Sequence, residues 1–141
     1  MNVQRFSDED RKAGKAALRL VSAFVDIAKE GGHESPPGTM LNAFLHVCME
    51  QGLSVQEYAK RAKVPYVTMS RHLLDLGDRN RKNQPGLGLV TGRPNPLNRR
   101  AREYMLTDKG HAFMDRICSI MDIKKDSLND ILKKMSFFIV E

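Results

Sequence analysis

No uninterrupted apolar stretch of the 141-residue chain approaches the roughly 20 residues needed to cross a bilayer, which excludes a transmembrane helix. Met1 to Asp10 is polar and acidic, and no apolar signal core follows it, so the expectation is a soluble cytoplasmic protein with no membrane partner. Cysteine is scarce. The two present, Cys48 and Cys118, lie far apart in helical contexts, which argues against a disulfide framework and for small buried hydrophobes. His33, His46, His72 and His111 are scattered, and none joins another histidine or cysteine at ligand spacing on one helix face; His46 and Cys48, two positions apart, diverge. No metal site and no cofactor is expected. Equally missing are a glycine-rich phosphate loop, a serine nucleophile elbow and paired carboxylates that periodicity would bring to one wall, so the chain reads as a non-enzyme. Acid is in deficit too: 17 Asp and Glu face 23 Lys and Arg, and the net charge of +6 favours a polyanionic partner.

What is present is concentrated between Ser54 and Leu76, which reads as two short helices joined by a tight turn. Ser54 and Glu57 stand at capping-box spacing, where hydroxyl and carboxylate satisfy free amides at the start of the first helix. Pro65 fits the first turn of the second, where its missing N–H costs nothing. With Ala59, Ala62, Val64, Met69, Leu73 and Leu76 as the inner seam, Tyr66, Thr68, Ser70 and Arg71 fall at or near the outer face, able to reach base edges and phosphates. This is the pattern of a helix-turn-helix reader of DNA.

The following segment sharpens that reading. Leu87 to Thr91 and Glu103 to Leu106 are short apolar or alternating runs of strand type. Between them Gly92 to Arg102 is rich in turn formers and carries Arg93, Asn95, Asn98, Arg99, Arg100 and Arg102. Strand, basic loop, strand makes a hairpin with a cationic tip, and a hairpin directly after a helix-turn-helix is a winged helix: the helix enters the major groove while wing arginines lie along the backbone or in a narrow minor groove. Arg71, Arg79, Arg81, Lys82, Arg93, Arg99, Arg100 and Arg102 put eight of the 23 basic residues in this region, against Asp75 and Asp78. The linking segment Gly77 to Gly86 either adds phosphate contacts or forms a solvated loop, and charge clusters are more often plain surface.

In the run Leu53 to Leu76, in Asn95-Pro-Leu-Asn-Arg-Arg-Ala101 and in Leu106-Thr-Asp-Lys-Gly110, the chain resembles the MarR-type winged-helix transcriptional regulators. The resemblance implies a mainly α fold with a small β-hairpin wing, in which the terminal helices form a dimerisation layer. Two departures stand out: Asn95 and Asn98 replace the family's usual wing aspartates, and the Gly77 to Gly86 link is longer than usual.

The remaining sequence supplies that scaffold within one continuous unit. Residues 1–38 hold an N-terminal helix and loop, residues 39–110 the DNA-binding lobe, and residues 111–141 the C-terminal helices. Ser7 to Glu30 places Ala13, Ala17, Leu20, Phe24 and Ile27 at three- and four-residue intervals between a Ser7–Asp10 capping pattern and Gly31-Gly32. Met40 to Gln51 forms a second helix with Leu41, Phe44, Leu45 and Cys48 inward; Thr107 caps another through about Asp122, and Ser127 to Phe138 continues as a further helix or as its bent extension. Leu20, Phe24 and Ile27, with Ile131, Leu132, Met135 and Phe138, are the expected dimer contacts. The function implied is a homodimeric regulator, most simply a repressor, that binds a pseudo-palindromic double-stranded DNA operator and responds to a small-molecule effector. The alternative is a winged-helix module that binds DNA without sequence preference or serves protein assembly.

Overall fold

The computed structural model describes residues 5–98 and 101–122. Arg99, Arg100, the continuation from Ser127 to Phe138 and with it Ile131, Leu132, Met135 and Phe138 lie outside the described residues.

Helix α1 (Asp8–Glu30) starts where the sequence places it. The Ser7 hydroxyl accepts from the Asp10 amide at 3.1 Å and the Asp10 carboxylate accepts from the Ser7 amide at 3.0 Å, which also holds the Asp10 pKa below its ordinary value. It ends at Gly31, beyond which His33 N–H donates to the Ala28 carbonyl at 2.8 Å. Only the C-terminal half meets the body, burying Ala23, Phe24 and Ala28; residues 8–15 are all exposed. Phe24 is therefore corrected from a dimer contact to a core residue, its ring 6.4 Å from that of Phe113, while Leu20 and Ile27 are partly buried against the same core.

Helix α2 (Gly38–Met49) follows Pro37 and buries Met40, Ala43, Phe44 and Val47, with the Phe44 ring 5.4 Å from Phe113. Helices α3 (Val55–Ala62) and α4 (Tyr66–Leu76) form the helix-turn-helix. The Ser54–Glu57 capping box is present, and the turn passes through Lys63 in the left-handed conformation at φ 56°, with Val64 N–H returned to the Ala59 carbonyl. Pro65 sits one residue earlier than expected, as the N-cap of α4, and its carbonyl accepts from Met69 N–H. The expected inner seam holds: Ala59, Met69, Leu73 and Leu76 are buried and Ala62 and Val64 pack against them.

Strands β1 (Val90–Pro94) and β2 (Arg102–Leu106) pair antiparallel, from Val90 opposite Leu106 to Pro94 opposite Arg102. The first strand thus begins three residues later than the pattern from Leu87 suggests. Leu87 and Leu89 donate their amides to the carbonyls of Asp75 and Leu76, so this alternating segment closes the C-terminal end of α4 and buries both leucines. Strand pairing starts only once that end is satisfied. A single rung also joins Leu53 to Tyr104, which fastens the helix-turn-helix to the wing.

Helix α5 (Asp108–Ile120) starts at Thr107, whose hydroxyl accepts from Gly110 N–H at 3.0 Å and donates to the Gly88 carbonyl at 2.5 Å. A methyl at Gly110 would overlap the Leu89 carbonyl oxygen, so glycine is required by the closeness of α5 to the β1 approach. Cys48 and Cys118, on α2 and α5, are not disulfide-bonded; burial, with Cys118 nearby, pushes the Cys48 pKa up to about 12, which keeps it an unreactive thiol.

Candidate nucleic-acid interface

Helix α4 has three distinct faces, and their separation follows from its 3.6-residue period. One is the core face of Met69, Leu73 and Leu76. Another lines a cleft and carries Thr68, His72 and Asp75. The third points away from the body and presents Val67, Ser70, Arg71 and Leu74, with Tyr66 beside it at the helix start.

The expected recognition residues divide between these faces. Pro65, Tyr66 and Arg71 are exposed and Ser70 is half-buried, consistent with an outward display. Thr68 is also half-buried but turns toward the cleft, one of whose edges Arg71 borders. Sequence pattern misses Val67 and Leu74: they are 56% and 40% exposed, yet as aliphatic residues in a helix they resemble core positions. The signal that could find them is phase, since positions 67, 70, 71 and 74 lie opposite 69, 73 and 76 on a helical wheel.

On the wing, Arg93 and Arg102 are both exposed. Arg93 Nε stands 3.5 Å from Glu103 across the strands, and Arg102 donates to the Gly92 carbonyl at 3.3 Å. At the tip the Asn95 side-chain oxygen accepts from Leu97 N–H at 2.8 Å and Asn98 N–H at 3.3 Å, while Asn95 N–H donates to the Ala101 carbonyl. Asparagine here closes the turn through its amide oxygen, without the charge of an aspartate. Leu97, between them, is 98% exposed. The wing and the start of α4 are neighbours: the Tyr104 hydroxyl is pushed up chiefly by burial, with Arg102 opposing the rise and Tyr66 adding to it.

A cleft of about 330 Å³ lies between α4, the α1–α2 connection and the 77–86 loop, lined by residues that include His33, Pro37, Thr68, Arg71, His72 and Arg81. Buried Asp75 sits at its base, 3.8 Å from both His33 and Arg81. His72 Nε2 is 2.7 Å from the Thr39 hydroxyl, and burial lowers the His72 pKa, with Asp75 opposing and Arg81 and His33 reinforcing the shift. These partners come from the α1–α2 connection, the first turn of α2 and the 77–86 loop, so no local spacing reveals the cluster. Among the described residues no group of three or more histidine, cysteine or acidic side chains is placed to hold a metal ion, and no helix is long and apolar enough to cross a membrane.

No protein-family model and no curated protein sequence matches the chain. Solved structures do. The chain is similar to MepR of S. aureus in a DNA complex, at 17% identity and TM-score 0.54 over 91% of this chain and 89% of that one. It is similar to the transcriptional repressor CouR bound to a 23-mer DNA duplex, at 18% identity and TM-score 0.53 over 99% and 100%. A cysteine-to-serine mutant of MarR from E. coli complexed with operator DNA gives 16% identity and TM-score 0.52 over 89% and 91%. The helices and the two-stranded hairpin described above thus have the winged-helix fold of MarR-type regulators.

Proposed function

We propose that the chain is a sequence-specific double-stranded DNA-binding transcriptional regulator, acting as a homodimeric repressor on a pseudo-palindromic operator. The observation that carries this reading is the outward face of α4, where Ser70 and Arg71 are free of the core beside an arginine-bearing wing, on a fold seen on DNA in similar structures. Its action is binding, not catalysis: occupancy of an operator excludes polymerase. Localisation in the cytoplasm, where its DNA would be, belongs to the same reading.

Support for the dimer comes from α1. A helix of 23 residues that meets the body along its C-terminal half leaves a long segment, and with it Leu18 at 66% and Val21 at 49% exposure, without a cover among the described residues. Isolated helical segments of about 12 residues are marginal in water, so this half needs a cover, which a second copy supplies. Two copies also put two recognition helices in successive major grooves. An effector would find the cleft beneath α4, where a bound molecule touches Thr68 and Arg71 directly and competes with DNA for the helix's position.

Selection of bound sites from random duplex DNA tests the reading, and an inverted repeat is the expected product. Arg71→Ala should then cost roughly 1 to 3 kcal/mol on the selected site and much less on random DNA. Salt-dependent binding with no recovered site would replace the proposal with a module that binds DNA without sequence preference. Light scattering tests assembly: a particle of the 16.0 kDa chain mass that still binds the repeat tightly would overturn the dimer.

A further inference from the structure

The exposed aliphatic residues of α4 lie where a DNA reader meets base edges. We propose that the outward face of α4 reads thymine through its 5-methyl group, with Val67 as the principal reader. The inference rests on the DNA-reading function proposed above and adds which chemistry the helix recognises.

Scattered exposed hydrophobics are ordinary on protein surfaces, so exposure alone carries nothing. Position does. Val67, in the first turn of α4, is 56% exposed on the face that bears Ser70 and Arg71, while Met69, Leu73 and Leu76 on the opposite side are completely buried. Residues in the first turns of a recognition helix are the ones that reach base edges. Leu74 continues the stripe at 40% exposure, about 10 Å further along the axis given the helical rise.

A polar major groove would leave these side chains facing hydrogen-bonding edges they cannot satisfy. The one apolar group on those edges is the thymine 5-methyl, which makes thymine the base that an exposed valine recognises. The Ser70 hydroxyl accepts or donates to several bases, whereas Arg71 favours guanine through its paired donors. Val67 and Arg71 are one helical turn apart, about 6 Å along the axis, or close to two base-pair steps. A half-site therefore carries a thymine within one or two base pairs of the guanine that Arg71 contacts.

The test uses full-length protein and the site recovered by selection, synthesised with uracil in place of thymine one position at a time; the exchange removes only the methyl. At one position in each half-site, uracil should lower affinity about three- to tenfold, the size expected for one lost buried methyl contact. Val67→Ala should lower affinity for the thymine duplex by a similar factor, become indifferent to uracil at that position, and leave the salt slope unchanged because no phosphate contact is lost. Alanine is a good helix former and the position is exposed, so the variant keeps its fold. A recovered site indifferent to uracil throughout leaves sequence reading intact and overturns the methyl reading. So does a uracil effect that persists undiminished in Val67→Ala, or a change of oligomeric state in that variant with unchanged DNA affinity, which would give the stripe to a protein contact. Failure to recover any site overturns the function itself, and this inference with it.

Discussion

Two arginine-bearing loops flank β1, and they place their cations differently. The 77–86 loop is closed by the backbone: Gly86 N–H donates to the Asp78 carbonyl, Gly88 to Gly77 and Leu87 to Asp75. Its side chains point back to itself, with Asn80 accepting from the amides of Lys82 and Gln84, Arg79 donating to the Asn83 carbonyl, and Arg81 turned toward Asp75. The wing tip is also closed by its backbone, with Asn95 N–H donating to the Ala101 carbonyl, Asn98 N–H to that of Asn95 and Ala101 N–H to that of Asn98 around the asparagine turn, and it leaves Leu97 almost wholly exposed. Similar stretches of basic sequence thus serve different ends. The first loop turns Arg79 and Arg81 toward its own backbone and Asp75, whereas on the wing Arg93 and Arg102 stay exposed while anchored to Glu103 and the Gly92 carbonyl.

The contrast is broken most severely at Gly86. A methyl there would overlap the Gly77 carbonyl oxygen and lie 2.9 Å from that of Asp75, so Gly86→Ala should destabilise the fold by about 2 to 4 kcal/mol in denaturant titration. Wild-type stability would mean that the loop is not tightly closed. Next in size is the effect of charge on binding. Arg99→Ala with Arg100→Ala should weaken binding to all duplexes and flatten the salt slope by about 2 per wing, or about 4 for a dimer, whereas Arg79→Ala with Arg81→Ala should leave the slope unchanged. Equal slopes for the two double variants would erase the distinction between the loops. Smaller again, Asn95→Ala removes the acceptor of two tip amides and should cost on the order of 1 kcal/mol in stability, by analogy with the loss of a helix cap. A loss of DNA affinity without that change in stability would show that Asn95 touches the DNA itself.

The smallest effect is on pH dependence. His72 has a pKa lowered from 6.5, so the unfolded chain takes up its proton before the folded one does. Its contribution to stability is whole above 6.5 and is lost as pH falls toward the lowered value. His46, lowered chiefly by burial and also by Arg61, acts in the same sense. Thermal unfolding compared at about pH 7.5 and about pH 5.5 should show acid destabilisation that His72→Gln reduces in part, leaving the share due to His46. An acid sensitivity unaltered by the substitution would remove His72 from the account.

Much of this architecture is local, and what is local is legible in the sequence. The Ser7–Asp10 and Ser54–Glu57 caps, the Thr107 start of α5 and the seam through Met69, Leu73 and Leu76 each depend on residues within a few positions of one another. The rest depends on distant partners. Leu87 and Leu89 alternate like a strand but satisfy the end of α4, a role visible only when helix and segment are side by side. His72 and Asp75 are polar residues on an amphipathic helix, and their burial requires Thr39, His33 and Arg81 from elsewhere. Val67 escapes a sequence reading for a different reason: hydrophobicity alone assigns it to the core, and only its angle on the helix turns it outward.

One phenol decides how the two halves of the lobe can move. The buried Tyr58 hydroxyl lies 2.8 Å from the Glu50 carbonyl oxygen, 3.3 Å from that of Tyr104 in β2, and accepts from Leu53 N–H at 3.3 Å. Burial pushes its pKa up to about 12, so the phenol remains a neutral donor across the physiological pH range. This phenol and the Leu53–Tyr104 rung couple the helix-turn-helix and the hairpin into one reading head. On the function proposed here, lifting the hairpin while the helix remains engaged would break these contacts, so a regulatory signal that keeps them tilts or translates the whole head. In the proposed dimer such a movement changes the spacing between two heads, alongside the direct competition at the cleft beneath α4.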